Sequence, residues 1–213
     1  MRILITGASR GLGQSIANQL AAPGNSLALC ASGMSADMET TAAQCRERGA
    51  TVLCPAGDLA QFEVPARLVG EAVAAFGGLD AVVSNAGIVH AGPLGSSDQT
   101  AWDQVFNINV RSAWQLAQEW AADGVRINTV LPGLLRTTLT EAIYADPQKK
   151  ATREALVPMH RIGDPQRDCA GVVQFLLSAD SAYMSGQNLV VDGALLGSIR
   201  GHLADRPDSE RAT

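Results

Sequence analysis

A group of three glycines near the start of the chain constrains the fold more than any other feature. Gly7, Gly11 and Gly13 follow residues 2–6, a short apolar run with β-branched side chains that predicts a strand. They lead into residues 14–21, whose pattern predicts a helix that ends before a proline and a glycine. A strand, a glycine-rich turn and a helix in succession predict the first unit of a parallel α/β sheet.

The loop Gly7-Ala8-Ser9-Arg10-Gly11-Leu12-Gly13 can bring backbone N–H groups close to a phosphate group. One glycine permits a tight turn, a second lets the backbone approach a pyrophosphate, and a third lets helix and strand pack closely. The helix that follows offers free N–H groups and a partial positive charge to the phosphates. The alternative for these residues is a glycine turn without a ligand.

Apolar runs and helical patterns alternate along the rest of the chain. This alternation predicts an α/β fold: a Rossmann-type doubly wound parallel sheet in a single domain, with helices on both faces. We expect the domain to span residues 1–195 and the C-terminal tail, 196–213, to be disordered from residue 201 onward. The predicted strands lie at 2–6, 26–30, 51–54, 79–84, 125–131 and 189–191, and the predicted helices at 14–21, 36–48, 64–76, 100–122 and 167–178, with a mobile or helical insertion at 137–157.

The charge and composition of the chain argue against several partners. It carries 16 Lys and Arg against 21 Asp and Glu, without a basic cluster, so nucleic acid and anionic membranes are not expected to bind. No apolar run is long enough for a signal peptide or a membrane span. Four cysteines without a Cys-x-x-Cys pair and three scattered histidines predict a cytoplasmic protein with reduced thiols and no metal site.

Two further short motifs follow predicted strands, where ligands bind in sheets of this kind. Asp58, with Leu59, follows the third strand, and its carboxylate could accept a hydrogen bond from an adenine amino group or instead cap the next helix. Asn85-Ala86-Gly87 follows the fourth strand, where small residues leave room for a flat ligand and Asn can hold the loop. The alternative for this second motif is a plain turn.

Together these motifs resemble the short-chain dehydrogenase/reductase family, in its one-domain branch. The resemblance covers roughly residues 1–195 and implies an NAD(P)-dependent carbonyl or alcohol oxidoreductase lineage with small-molecule substrates. It is carried by the motifs Thr6 to Gly13, Asp58-Leu59, Asn85-Ala86-Gly87, Asn107 to Val110, Val125 to Asn128, Pro132-Gly133 with Thr137, and Ser185-Gly186-Gln187 leading to Val191-Asp192-Gly193.

The resemblance assigns residues to each part of a bound dinucleotide. Asn109 matches an asparagine that shapes the active site through a helix kink and a bound water. The pyrophosphate would be held by Gly7, Ser9, Arg10, Gly11, Leu12 and Gly13, the adenine flanked by Asp58 and Leu59, the adenosine side lined by Asn85, Ala86 and Gly87, and the nicotinamide and its phosphates surrounded by Pro132, Gly133, Leu135 and Thr137.

The choice between NAD and NADP is read just after the second strand in this family. An acidic residue there favours NAD, and a basic residue favours NADP. This chain has Ala31-Ser32-Gly33, so no carboxylate would repel a 2′-phosphate. Arg10 matches a loop residue that meets the 2′-phosphate in relatives that prefer NADP. We therefore expect NADP rather than NAD as the cofactor.

The catalytic residues of the family are not found at their expected place. The resemblance implies a serine and a Tyr-x-x-x-Lys pair between the positions of Asn109 and Asn128, where they transfer a proton. Only 18 residues separate these two asparagines, several dozen fewer than in relatives. The only tyrosines are Tyr144 and Tyr183, and neither precedes a lysine by four residues. The segment with the serine, tyrosine and lysine is therefore expected to be missing.

A missing segment of this size would remove one strand and one helix. We then expect residues 125–131 to move inward by about 4.8 Å and to lie beside residues 79–84. The long helix at 100–122 would bury one apolar face, while Trp114 would contact a partner subunit or lie partly under a loop. In relatives the helices of this region form the subunit interface, so a homo-oligomer is expected. The apolar face consists of Trp102, Phe106, Val110, Ala113, Ala117 and Trp120.

Three functions are compatible with these features. The chain could be an oxidoreductase with an unorthodox proton donor, for which His90, Tyr144 and His160 are the candidates. It could be a non-catalytic dinucleotide-binding protein, such as a sensor or a partner subunit of an intact homologue. It could also be a cofactor-free descendant, although the intact glycine loop argues against that.

Overall fold

The computed structural model of the chain describes residues 1–90, 98–118 and 126–198. Within these residues, every helix is too short or too polar to span a lipid bilayer. The strands are β1 (Arg2–Thr6), β2 (Ser26–Cys30), β3 (Thr51–Leu53), β4 (Ala81–Val83), β5 (Thr129–Pro132) and β6 (Asn188–Val191). The helices are α1 (Gly11–Leu20), α2 (Ala36–Glu47), α3 (Val64–Phe76), α4 (Gln99–Phe106), α5 (Ser112–Gln118), α6 (Glu141–Tyr144), α7 (Pro147–Leu156) and α8 (Gly171–Leu177), with π turns at Asn107–Arg111 and Pro165–Ala170 and a 3-10 turn at Ala179–Ser181.

Four strands form a parallel sheet in the order β3-β2-β1-β4. The central strand β1 pairs on both sides, with Leu4 opposite Ala28 of β2 and Val82 of β4. Its side chains alternate between two cores, because Ile3 and Ile5 pack with α1 and α2 whereas Leu4 packs with α3 and α5. The predicted Rossmann-type α/β fold, with helices on both faces of a parallel sheet, is confirmed.

Large apolar side chains fill both cores and fix the helices against the sheet. Ile16 of α1 and Met38 of α2 are 2% and 1% exposed in the first core. Leu68 of α3 and Leu116 of α5 are 0% and 1% exposed in the second. Burying a side chain of this size stabilises the fold by about 1.5–3 kcal/mol relative to leaving it in water. The position of α1 behind the glycine loop is therefore set by packing along its whole length.

The last two strands stand apart from this sheet. β5 pairs with β6 in a separate two-stranded parallel sheet, with Thr129 opposite Asn188 and Pro132 opposite Val191. Among the described residues, β4 pairs only with β1. The expected inward shift of residues 125–131 to the side of β4 is therefore wrong.

Contacts between α8 and α1 explain why β5 does not pair with β4. The side-chain amide of Gln19 in α1 donates a hydrogen bond to the side-chain oxygen of Gln174 in α8, at 2.8 Å. Ala170, at the end of the π turn before α8, is fully buried in the first core. Arg126, just before β5, donates to the backbone oxygen of Leu176 in α8 at 2.6 Å. β5 and β6 are thus attached to α1 through α8, and moving β5 towards β4 would break these contacts.

The predicted helix at 100–122 is interrupted, and the side expected to face the core is exposed. The π turn Asn107–Arg111 separates α4 from α5, and residues 119–122, with Trp120, lie outside the described residues. Trp102, Phe106 and Val110 are 49%, 44% and 54% exposed. The prediction that these side chains share the core-facing side is therefore wrong.

The side of this helix that faces the second core carries Ile108, Ser112 and Leu116. These residues are four positions apart, which is the same helical spacing as on the exposed side. The Ser112 hydroxyl donates to the backbone oxygen of Ile108 at 2.6 Å, so this polar group is satisfied although the residue is buried. Because Ser112 is polar, it interrupts the apolar pattern of this side, and apolar spacing in the sequence does not identify the side as buried. Trp114, which is predicted either to contact a partner subunit or to lie partly under a loop, is 54% exposed.

The interrupted sheet predicts unequal protection of its two parts from hydrogen exchange. We expect the amides of β1 to exchange slowest, and those of β5 and β6 about 100-fold faster or more, because a two-stranded, half-exposed sheet opens more easily. Exchange followed by mass spectrometry on peptides that cover residues 2–6 and 129–132 measures the difference. Equal protection of the two parts would contradict it, since it would mean that both sheets open as one unit.

Candidate functional site

The glycine loop connects the end of β1 to the start of α1 by a very close approach of backbone atoms. Gly7 and Gly11 have φ angles of +66° and +61°, in the left-handed region that favours glycine. A Cβ atom on Gly13 would lie 2.2 Å from the carbonyl oxygen of Gly7 and 2.5 Å from Nδ2 of Asn85. The residue at position 13 must therefore lack a side chain for α1 to pack against β1 in this way.

Among the residues that the structure describes, no side chain accepts a hydrogen bond from the backbone N–H groups at the start of α1. Arg10, which precedes the helix, makes no capping hydrogen bond, and the first turn contains no acidic residue. Ser35, Asp98 and Asp146 cap α2, α4 and α7 with their side chains, whereas α3, α6 and α8, like α1, have no side-chain cap. What distinguishes α1 is the glycine loop that precedes it. The free N–H groups and the helix dipole at the start of α1 suit an anionic group such as a pyrophosphate.

Asn85 joins the glycine loop to the loop that follows β4. Its side-chain amide donates to the backbone oxygens of Thr6 and Gly7 at 3.0 and 3.3 Å. The hydroxyl of Thr6 accepts the backbone N–H groups of Asn85 and Ala86, both at 3.0 Å. The motif at residues 85–87 therefore braces the site and is more than a plain turn. Thr6 is the one bracing group to which the sequence pattern alone assigned no role.

Asp58 closes the turn after β3 and leaves one carboxylate oxygen available. Its Oδ1 accepts the backbone N–H of Ala60 at 2.9 Å. The following helix α3 begins at Val64 and is preceded by Glu63, so the alternative that Asp58 caps that helix is wrong. Leu59 is only 8% exposed and belongs to the second core. Asp58 is exposed, and within the described residues its Oδ2 has no hydrogen-bond partner, so a contact with adenine stays a prediction.

Asn109 lies inside the first π turn, at the place where the resemblance implies a helix kink. Its Nδ2 donates to the backbone oxygen of Ile88, and its Oδ1 accepts the N–H of the same residue, both at 2.9 Å. The same Oδ1 lies 3.5 Å from the position that a Cβ on Gly87 would occupy. Asn109 therefore holds the loop after β4 against the helix.

The loop after β5 is brought to the glycine loop, although β5 lies in the second sheet. The Cβ of Thr137 is 3.5 Å from the position that a Cβ on Gly11 would occupy. A Cβ on Gly133 would lie 2.5 Å from Asp192, so the end of β5 is packed tightly against the residue that follows β6. Of the residues predicted to surround the nicotinamide, Thr137 thus lies beside the glycine loop.

Leu135 differs from the rest of this predicted set, because its side chain is buried. It is 8% exposed and lies against Gly163, to which its neighbours Leu134 and Arg136 are hydrogen bonded at 2.9 Å. The Leu135 side chain lines a cavity of about 200 Å³ that includes no residue of the glycine loop. The carboxylate of Asp168 also lines this cavity, and its hydrogen bonds with the Arg161 guanidinium lower its pKa to about 2.

The region expected to read the 2′ position of a ribose carries no acidic side chain next to β2. Ser32 and Gly33 are exposed, and Arg10 is exposed without an ion pair among the described residues. Burial raises the pKa of the adjacent Cys30 to about 12, so its thiol stays protonated and is not a nucleophile. Arg10 therefore contributes an exposed positive charge to the glycine loop.

The three candidate proton donors differ in exposure. His90 and His160 are exposed, whereas Tyr144 is 4% exposed. The buried hydroxyl of Tyr144 has no hydrogen-bond partner among the described residues, and the guanidinium of Arg153 lies 5.8 Å from its ring centre. Within the same residues, no group of three His, Cys, Asp or Glu side chains is placed to hold a metal ion.

The fold and the glycine loop define a Rossmann-type α/β protein. The profile of the short chain dehydrogenases matches residues 1–118, and a profile described as Enoyl-(Acyl carrier protein) reductase matches residues 113–195. The chain belongs to the short-chain dehydrogenase family, a family of NAD(P)-dependent oxidoreductases.

Relatives match along nearly the whole chain. An uncharacterized oxidoreductase of Mycobacterium tuberculosis is 31% identical over 240 aligned positions, covering 90% of each protein. A structure from Sinorhizobium meliloti 1021, assigned to the short-chain alcohol dehydrogenases, is 29% identical, with a TM-score of 0.85 over 93% of this chain and 97% of the other. A structure from Agrobacterium tumefaciens, assigned as a 2-deoxy-D-gluconate 3-dehydrogenase with bound NADP, is 26% identical, with a TM-score of 0.77 over 92% and 96%.

The close approach at Gly13 predicts a large effect of one methyl group. Gly13→Ala is expected to lower the free energy of unfolding by about 2 kcal/mol or more, because the added Cβ meets the Gly7 carbonyl, which cannot move. Gly70→Ala is the matched control, since Gly70 lies on the exposed side of α3 with open space around it. The control is expected to raise stability by about 0.5–1 kcal/mol. Urea unfolding measures both, and effects of the same sign would contradict the predicted contact.

Proposed function

We propose that this chain binds NADP at the glycine loop but lacks the usual proton donor of its family. The uncapped N-terminus of α1 carries the proposal, because its free N–H groups fit the pyrophosphate of a dinucleotide. The loop in front of α1 is kept clear of side chains by Gly7, Gly11 and Gly13. The position of Thr137 beside Gly11 supports a cofactor that extends from this loop towards the end of β5.

NADP is the proposed cofactor because of the charges near the loop. Ala31-Ser32-Gly33 offers a hydroxyl and backbone N–H groups to a phosphate, with no carboxylate to repel it. Arg10 adds an exposed guanidinium, which forms strong hydrogen bonds to phosphate oxygens. The related structure from Agrobacterium tumefaciens contains NADP, which supports the same choice.

We also propose that the segment with the catalytic serine, tyrosine and lysine is missing. The alignment with the Mycobacterium tuberculosis relative has 240 positions, whereas 90% of this 213-residue chain is only about 190 residues. Roughly fifty positions of that alignment are therefore gaps in this chain. The two family profiles overlap at residues 113–118, within the helix predicted at 100–122. A gap there would lie where the catalytic residues are expected.

A chain of this kind would bind a dinucleotide without rapid turnover. A positioned general acid contributes about 10² to 10⁴ in rate to carbonyl reduction. Without it, bound NADPH would be a ligand rather than a fast hydride donor. We therefore propose a role as a dinucleotide sensor or as the partner subunit of an intact homologue.

Catalysis through Tyr144 is the second candidate function. Its hydroxyl is buried and unpartnered among the described residues, a costly arrangement that a bound substrate would relieve. Tyr144 also lies just after the turn formed by residues 137–140, in which Thr137 approaches Gly11. The backbone N–H of Tyr144 donates to the backbone oxygen of Thr140 at 3.3 Å. In this alternative, the Tyr144 hydroxyl would donate the proton to a carbonyl oxygen as NADPH donates hydride to the carbon.

The cofactor proposal predicts tight binding of NADP that depends on Arg10. We expect NADP to bind in the micromolar range and more tightly than NAD. Arg10→Ala should weaken NADP about tenfold and NAD by a smaller factor, because both carry the pyrophosphate but only NADP carries the 2′-phosphate. Calorimetric titration measures both. The control is Lys149→Ala, which removes an exposed cation of α7 and is expected to change neither affinity. Failure of both dinucleotides to bind would rule out the proposed function.

The lack of a proton donor predicts no consumption of NADPH with a panel of ketones and aldehydes. Tyr144→Phe decides between the two candidates, and this variant should fold because it removes only an unpartnered hydroxyl. Turnover that is lost in Tyr144→Phe would support the second candidate and contradict the first. Turnover that is unchanged in this variant would contradict both, since another group would then donate the proton.

We further propose that the chain forms a homo-oligomer through the exposed side of α4 and α5. Trp102 and Phe106 stack with ring centres 4.7 Å apart, and Val110 and Trp114 are each 54% exposed. An exposed apolar surface of this kind is typical of a contact between proteins. Because both copies carry the same surface, a symmetric pair could cover it on each.

A further inference from the structure

We propose that Arg111 is a positioning residue for the adenine half of the cofactor site. Its guanidinium donates a hydrogen bond to the backbone oxygen of Ala60, the residue that follows the Asp58-Leu59 motif. This inference rests on the proposed binding of NADP and assigns a residue outside the glycine loop to the recognition of one part of that ligand.

The contacts of Arg111 converge on the loop between β3 and α3. Its Nη2 donates to the backbone oxygen of Ala60, and its guanidinium carbon lies 5.8 Å from the ring centre of Phe62. One helical turn further, the side-chain amide of Gln115 donates to the backbone oxygen of Phe62 at 2.8 Å. Two side chains of one helix therefore fix the loop at residues 60 and 62.

Ala60 links Arg111 to the exposed carboxylate of Asp58. Its N–H is bonded to Oδ1 of Asp58 at 2.9 Å, and its carbonyl is bonded to Arg111. A shift of Ala60 would therefore change the direction of the Asp58 carboxylate and of the second oxygen, which is available to an adenine amino group. Leu59, between Asp58 and Ala60, is packed into the second core and anchors the middle of this segment. The Arg111 side chain adds the anchor at position 60.

The π turn explains how one helix can hold both loops. Asn109 and Arg111 belong to the same turn, Asn107–Arg111, yet Asn109 bonds to Ile88 after β4 and Arg111 to Ala60 after β3. The extra residue of a π turn changes the directions of the side chains relative to a regular α-helix. Loss of Arg111 should therefore affect the adenine loop and leave the loop held by Asn109 in place.

The experiment compares NADP with 2′,5′-ADP, which carries only the adenine half. We expect Arg111→Met to weaken both ligands by the same factor, about tenfold, because the whole loss lies in the adenine half. Arg111→Lys keeps one donor and is expected to lose about threefold, which provides a folded variant if Arg111→Met does not fold. The matched control is Arg48→Met, which also removes a bond from an arginine to a backbone oxygen, that of Asn18, and should change neither affinity.

Hydrogen exchange gives a second readout that a general loss of stability would not reproduce. In Arg111→Met, peptides covering residues 58–62 should exchange faster while those covering 85–90 do not change. Unchanged affinity of the Arg111 variants for 2′,5′-ADP, or a loss no larger than in Arg48→Met, would overturn the role of Arg111 while NADP binding stands. Failure of the wild-type chain to bind either ligand would overturn the proposed function and this inference together.

Discussion

The contact between the start of α1 and the end of β1 is the constraint on which the rest of the structure depends. Position 13 touches the carbonyl of Gly7 so closely that even one methyl group would not fit. Asn85 and the Thr6 hydroxyl then tie the loop after β4 to the same point. The N-terminus of α1 is therefore both rigid and free of competing acceptors, which is the combination that phosphate recognition requires.

Helix packing, rather than strand pairing, sets the second half of the candidate site. β5 and β6 form their own sheet and reach the first half through α8, which bonds to Gln19 of α1. Ala170, in the π turn before α8, is buried in the first core. Thr137 consequently reaches Gly11 although the sheet is interrupted between β4 and β5. The loop after β5 and the glycine loop are therefore in contact although their strands belong to different sheets.

The sequence predicted the glycine loop and all six strands to within a few residues, because these signals are local. It left the role of Asp58 open, because the start of α3 at Val64 depends on how the turn closes. It also misjudged which side of the α4–α5 helix is buried. Trp102 is half exposed whereas Ser112 is buried, and a serine satisfied by its own helix cannot be recognised from apolar spacing.

Local patterns in the sequence establish a parallel α/β protein with a glycine loop between its first strand and helix and without a Tyr-x-x-x-Lys pair. These properties depend on which residues are present and on spacings within one strand, turn or helix. The pairing of β5, the side of the α4–α5 helix that faces the core, and the contact of Arg111 with Ala60 follow from the folded arrangement instead. Those outcomes depend on contacts between residues far apart in the chain, which compete for the same surfaces and are settled by packing of the whole domain.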